Sequence, residues 1–385
     1  MSSFLSASRR FSTKHLLPLI IPITALLLLI IFNLFRDLSF FEIRTATHVN
    51  GFTVLQGNLI SVLNNASEIA IMAMGMTLVT AAAKGQDISV GAGAAIAGAV
   101  LINVLRSNPF TLPFFILAMV VSVLAAMAVG AFNGTLVSVF KIQPMIATLI
   151  FFTIGRSIAF WINGGATPTI NNPHNPWLYA LGGFIHGVPI PTSIFVVALM
   201  GIIFGVVLKF TNLGLYVQSV GINQNSARLN GINPIIMKLL VFMILGVCVA
   251  IAAAINVGSI GLMNHSSILI GSEMDVILAV AIGGNALSGG KFNMVGSVIG
   301  AYVIQGLTIT LYAMKVSSTD ILAYKAVVVI ILVVLGSPVV KEKLGLLWKK
   351  IAAKPDEPAA VVASEAVSAA DATTVASEEG SDNEE

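Results

Sequence analysis

Charge is what this chain has little of. Asp, Glu, Lys and Arg make up 10% of its 385 residues against 57% hydrophobic ones, and the mean hydropathy is +0.95. That balance excludes a soluble domain of this length, which needs polar surface over its core. Cysteine is nearly absent too: Cys248 stands alone, which excludes an internal disulfide and any Cys-rich metal site. The five histidines, His15, His48, His174, His186 and His265, fall in termini or predicted loops. A membrane-embedded hydrolase needs a nucleophile and a base together inside its apolar segments, so catalysis is disfavoured. A Gly-x-x-x-x-Gly-Lys-Ser/Thr phosphate cradle is missing: Gly290-Lys291 comes nearest, but position 285 is Asn and position 292 is Phe. The chain is therefore read as a non-enzyme without a nucleotide-binding motif or cofactor of its own. Leu287-Ser288-Gly289-Gly290-Lys291 is read as a glycine break that ends an apolar segment.

What the chain does have is a series of apolar runs. Crossing a hydrocarbon core of roughly 30 Å takes about 20 apolar residues. Such runs occur near 16–35, 63–83, 88–105, 110–132, 143–162, 189–209, 238–258, 272–288, 294–313 and 322–340. They predict an all-α polytopic membrane protein with about ten transmembrane helices. Lys and Arg are retained on the cytoplasmic side of short loops. Placing both termini in the cytoplasm puts most basic residues there, leaves Arg36, Arg44, Arg106, Lys315 and Lys325 outside or at the outer edge, and puts Arg156 within the membrane. The first run follows Arg9, Arg10 and Lys14 and lacks a small-residue cleavage site, so it is read as a retained anchor. Three regions result: a cytoplasmic N-terminus over 1–15, a transmembrane domain over 16–340, and a basic juxtamembrane segment with a disordered acidic cytoplasmic tail over 341–385. Residues 355–385 carry nine of the 17 acids and no aromatic residue. Their charge masks a basic membrane core, so the pI near 9.0 reflects membrane orientation and not a nucleic-acid partner.

A weak parallel internal repeat runs through the apolar region. Ser67-Glu68 is followed 23 positions later by Gly91, and Ser272-Glu273 is followed 23 positions later by Gly296. Repeats of this kind surround the pathway in many transporter folds. Charges inside a membrane are costly, which makes Glu68, Asp87, Arg156, Glu273 and Asp275 candidates for a translocation pathway or its gates. The plainer alternative is that each acid caps a helix or pairs with Arg156. Asn285 joins the candidates. With Asn65, Asn133, Gln143, Asn163, Asn256, Asn264 and Gln305 it offers neutral hydrogen-bonding groups that suit a sugar better than an ion. A self-powered secondary transporter, using the same carboxylates as ion or proton sites, stays open on these residues.

The longest predicted cytoplasmic loop, Asn212 to Met237, contains Gly221-Ile222-Asn223-Gln224-Asn225-Ser226-Ala227-Arg228-Leu229-Asn230-Gly231-Ile232. A short polar helix flanked by glycines, with Ser226 and Ala227 on one face beside Arg228, has the shape to enter a partner's groove. A solvated connector is the alternative. This loop resembles the Gly-x-Asn-x-x-Ala-Ala-Arg-x-x-Gly-Ile signature of permease subunits of ribose/galactose-type ABC sugar importers, with Ser226 for the first alanine. Gly75-Met76-Thr77-Leu78-Val79 and Asp87-Ile88-Ser89-Val90-Gly91 are similar to that family's opening motifs, with Lys84 and Gln86 as departures. Ala147-Thr148-Leu149, Gly155-Arg156, Ile282-Gly283-Gly284 and Gly289-Gly290 add to the resemblance, which spans about 60–340. Lys141-Ile142-Gln143-Pro144 looks closest to galactofuranose-type permeases.

The resemblance implies a passive subunit of a pump in the bacterial inner (plasma) membrane. Two permease protomers, identical or related, form a pathway in membrane lipid for a monosaccharide. A periplasmic sugar-binding protein delivers it, and separate ATP-binding protein subunits bind ATP and drive the cycle. It implies further that Gly221, Asn223, Ser226, Ala227, Arg228, Gly231 and Ile232 couple the permease to the ATP-binding subunit. The loop from Asn163 to Gly187, with Pro168, Pro173 and Pro176, is the expected meeting place for the binding protein.

Overall fold

In the computed structural model the described residues are 19–47, 53–107, 111–170, 176–185 and 187–336. The predicted N-terminus over 1–15, the tail over 341–385 and Pro173 lie outside them. Thirteen α-helices are described: α1 (Ile20–Arg36), α2 (Asn58–Ala83), α3 (Val90–Arg106), α4 (Leu112–Ser138), α5 (Pro144–Ile162), α6 (Pro176–Gly182), α7 (Thr192–Phe210), α8 (Leu213–Ile222), α9 (Gln224–Leu229), α10 (Pro234–Ile260), α11 (Ser272–Ile282), α12 (Met294–Ala313) and α13 (Ser318–Gly336). Six of them, α2, α4, α5, α7, α10 and α12, are long and apolar enough to cross a membrane. The protein is an α-helical, multi-pass membrane protein. It also holds a small antiparallel hairpin, β1 (Arg44–Thr47) with β2 (Thr53–Gln56), in which Thr45 faces Leu55. The all-α expectation missed that pair, because four-residue strands carry no hydrophobic period of their own.

Local chemistry sets the ends of these helices. Proline at the first or second position starts α4, α5 and α10, where its missing N–H costs nothing. The Asn233 side chain accepts from Ile235 N ahead of α10, and Gly261, at φ +75°, closes it. The apolar run expected over 272–288 is shorter as a helix. α11 has 11 residues, a length of about 16 Å, and gives out at Ile282. Gly283 then approaches the Ser297 backbone so closely that a Cβ would lie 2.5 Å from Ser297 N. The expected loop over 212–237 is mostly ordered: α8 and α9 occupy it with one residue, Asn223, between them.

α2 is the central element, with every residue from Ile69 to Ala83 buried. α10, α11, α12, α7 and α8 pack around it. By contrast α4, α5 and α7 turn large apolar side chains outward, among them Leu124, Ile146 and Ile202, as helices facing lipid do. Lipid supplies no hydrophobic drive between helices, so close backbone approach has to replace it. α4 meets α10 through glycines: a Cβ on Gly134 would lie 3.0 Å from Leu239 Cα, and one on Gly246 would lie 2.8 Å from the Ala126 carbonyl carbon. α1 docks on α12 by a polar contact, Asn33 Nδ2 donating to Thr310 Oγ1 at 2.8 Å, and Arg36 donates to Ala313 O at 2.8 Å.

A substitution pair tests this packing. Gly246→Ala is expected to destabilise the detergent-purified protein by about 1–3 kcal/mol through overpacking. Gly205→Ala, where a Cβ meets nothing within 4 Å, is expected to be neutral or stabilising, because alanine is the better helix former. Thermal unfolding followed by circular dichroism checks both, and equal midpoints would sink the packing argument.

Candidate functional site

A cavity of about 660 Å³ lies between α2, the C-terminal end of α10, α11, α12 and α13. On one side Glu68, about three turns into α2, accepts from Asn256 Nδ2 at 3.1 and 3.3 Å. On the other, Asp275 in the first turn of α11 accepts from Lys325 Nζ at 2.8 and 3.0 Å and from Gln305 Nε2 at 3.3 Å. An acid in a first helical turn also gains from the helix dipole. Lys325, expected outside or at the outer edge, is buried within the protein. It sits in the second turn of α13, 7% exposed and ion-paired. The rule that singled out Glu68 applies equally to Lys325 once α13 is known to start at Ser318.

Arg156 and Glu273 form a separate tie. Arg156 on α5 donates from Nη1 to His265 O and Ile268 O, each at 3.0 Å, and to Ser266 O at 3.5 Å. Its Nη2 reaches Glu273 Oε1 at 3.4 Å. One guanidinium thus serves three carbonyls of the irregular stretch 261–271, which no helix ladder satisfies. Glu273 in turn lies against Gly91, where any Cβ would collide with its carboxylate. Gly91, 23 positions after Glu68, is thus in contact with Glu273.

Asp87 and Asn285 are buried in two further knots, and neither lines the cavity. Asp87 Oδ1 accepts from Ser89 N at 2.7 Å and Ser89 Oγ at 2.6 Å, while Asn133 Nδ2 donates to Ser89 Oγ at 2.9 Å. Thr148 Oγ1 accepts from Ile88 N at 3.1 Å, so the entry into α3 is pinned from α4 and α5. Asn285 Oδ1 accepts from Asn293 N at 2.6 Å, and its Nδ2 donates to Ser297 Oγ at 2.8 Å and Val280 O at 2.9 Å. Thr77 Oγ1 donates to Ser297 Oγ at 2.7 Å and joins this knot to α2.

At the other end of α2 lies the α8–α9 segment. Gly221 is buried over the hydrogen bond from Gly290 N to Ala81 O, where a Cβ would sit 2.7 Å from Gly290 N. Asn223 Oδ1 accepts from Asn225 N at 3.0 Å and Ser226 N at 3.2 Å, which caps α9. Ala227 points inward and is buried, and its carbonyl accepts from Ile232 N at 3.0 Å. This corrects the expectation that Ser226 and Ala227 share an outward face. Ser226 and Arg228 are exposed, and so is Leu229, at 89%. Gly231 turns the chain at φ +80°.

A family described as "Branched-chain amino acid transport system / permease component" matches residues 58–336. The chain belongs to this permease family. It is similar to the galactofuranose transporter permease protein of Escherichia coli strain K12, 39% identical over 253 residues, 66% of this chain and 72% of that protein. The fructose import permease protein of Bifidobacterium longum strain NCC 2705 is 34% identical over 335 residues, 86% of this chain and 90% of its own length. The ribose import permease protein of Escherichia coli strain K12 is 31% identical over 288 residues, 75% and 87% respectively. No solved structure matches the chain.

In this permease the segment from Asn163 to Gly187, of which 171–175 and 186 lie outside the described residues, is held to the bundle by α6. Gly182 packs on Gly258 of α10, Ile170 N donates to Gly261 O at 3.0 Å, and Tyr179 OH donates to Ile170 O at 2.6 Å. Sequence reasoning missed this anchoring, since a glycine contact across 76 positions leaves no local pattern.

The Arg156 tie predicts an asymmetry. Arg156→Met strips three carbonyls and leaves a buried carboxylate unpaired, so a loss of about 3–5 kcal/mol is expected. Glu273→Gln keeps the carbonyl contacts and is expected to cost clearly less. Thermal midpoints of the two purified variants decide it, and equal losses would refute the assignment of the carbonyls to Arg156.

Proposed function

We propose that this permease forms the translocation pathway of an ATP-binding-cassette importer for a monosaccharide. In this reading α1, α2, α3, α4, α5, α7, α10, α11, α12 and α13 make ten crossings of the bacterial inner membrane, α11 together with the non-helical residues that flank it, with both termini cytoplasmic and a parallel repeat relating the pair α2 and α3 to the pair α11 and α12. Two protomers line the pathway, a periplasmic binding protein delivers the sugar, and ATP is bound by separate subunits. The sugar class rests on the relatives named for galactofuranose, fructose and ribose.

The observation that carries the reading is α9. A solvated connector has no reason to expose Leu229 beside Arg228 on a helix whose opposite side is fixed by Ala227 and capped by Asn223. A rigid, exposed apolar tip is what a partner's groove requires. Ser226, Arg228 and Leu229 then form the contact with the ATP-binding subunit, while Gly221, Asn223, Ala227, Gly231 and Ile232 hold it in shape. All four acids that kept a self-powered transporter open have partners within the protein: Asp275 has Lys325, Glu273 has Arg156, Asp87 has Ser89, and Glu68 has Asn256.

Arg228→Glu combined with Leu229→Asp is expected to lower ATP hydrolysis co-purifying with this chain by about tenfold or more, the effect of losing a contact worth at least about 1.4 kcal/mol. Both residues are exposed, so the permease itself keeps its thermal midpoint. Full hydrolysis in the double variant would refute α9 as the coupling element. Ion-driven uptake by the chain alone would refute the importer.

A further inference from the structure

We propose that the cavity beside Glu68 and Asp275 is a sugar-contact station within a single protomer, in which these two carboxylates and their amide and ammonium partners engage the hydroxyls of a neutral monosaccharide. The proposal rests on the reading of the chain as a monosaccharide permease and adds to it a place and a set of groups.

The size fits. At about 660 Å³ the cavity falls within the roughly 300–1,000 Å³ typical of small-molecule sites. Its polar groups come from five helices: Glu68 from α2, Asn256 from α10, Asp275 from α11, Gln305 from α12 and Lys325 from α13. A hydroxyl donates one hydrogen bond and accepts others, and this set supplies both kinds of partner: carboxylate acceptors, an ammonium donor, and amides that serve as either. Tyr312 also lines the cavity and is 50% exposed, an aromatic ring at the wall of a polar chamber.

The charge pattern is mixed. Ion-selective passages present rings of one sign or of carbonyls. Here Lys325 pairs with Asp275, while Glu68 has the neutral Asn256 as its hydrogen-bond partner. Both signs of charge and neutral amides are present together, and a neutral polyol can use all of them.

The wall itself is unusual for a membrane bundle. The stretch 261–271 is irregular backbone, and at membrane depth such backbone is tolerated where it is buried in protein or lines a hydrated cavity. Ser267, Leu269, Ile270 and Gly271 from this stretch line the cavity, and Arg156 braces the stretch from behind. Ser272 and Asp275 then bring the start of α11 to the same space. The station lies toward the end of α2 away from α8. From Glu68 to Ala81, which contacts Gly221, the helix rises about 20 Å. The sugar would therefore reach it from the side of the binding protein.

The test uses the complete importer, this chain with its ATP-binding subunits and binding protein, reconstituted in liposomes. Radiolabelled D-galactose, D-fructose and D-ribose serve as probes, and sugar accumulated is measured per ATP hydrolysed. Glu68→Gln and Asn256→Leu are expected to lower that ratio by about tenfold (about 1.4 kcal/mol) and to change the preference among the three sugars. Gln305→Leu gives the same readout should either variant fail to fold. A merely structural role would lower uptake and hydrolysis together and leave both the ratio and the preference unchanged, which overturns the station. Unchanged uptake in folded variants also overturns it while leaving the importer reading intact. A wild-type complex that moves none of the three sugars refutes the monosaccharide reading and the station with it.

Discussion

Backbone N–H and C=O groups in lipid have no water to bond, so a membrane chain that leaves the helix must find partners for them within itself. In this permease that constraint concentrates on Arg156. Its guanidinium takes three carbonyls of the stretch 261–271 and a carboxylate at the start of α11, which satisfies the backbone where the chain reverses between α10 and α11. That reversal lets residues of an irregular segment face a polar cavity. A lysine, with its compact ammonium, lacks the planar fork that spans several acceptors.

Close packing depends on the same economy of side chains. Gly91 lets Glu273 come against α3, Gly246 lets α10 come against Ala126 of α4, and Gly221 lets α8 lie over the bond between Gly290 and Ala81. Each removes a Cβ where backbone or a buried carboxylate needs the space, and van der Waals contact then does what the hydrophobic effect cannot do between apolar helices in lipid. The polar knots at Asp87 and Asn285 serve a related end. Each sits at a turn leading into a helix, α3 or α12, and fixes the direction in which that helix starts.

The buried charges divide into two structural kinds. Glu273 with Arg156 shapes the scaffold, whereas Asp275 with Lys325 faces the cavity, and Lys325 ties α13 to α11. Buried ion pairs are weak sources of stability, since desolvation offsets most of their attraction. Their worth here is geometric: α13 has one register in which its lysine is paired.

How much of this was readable beforehand follows from the range of each interaction. Apolar runs, the proline and asparagine starts of helices, and the order of the motifs from Gly75 to Gly290 are local in the chain. The sequence by itself therefore determined a multi-pass helical permease and marked Glu68, Arg156, Glu273 and Asp275 as costly charges needing partners. Which charge met which partner was decided by tertiary structure alone, because Arg156 lies 117 positions from Glu273 and Asp275 lies 50 from Lys325. Composition cannot tell a cavity wall from a packing tie. The inward turn of Ala227, the early end of α11 at Ile282 and the burial of Lys325 were likewise settled by what packs alongside each, since local pattern gives way when a neighbouring helix occupies or vacates the space next to a side chain.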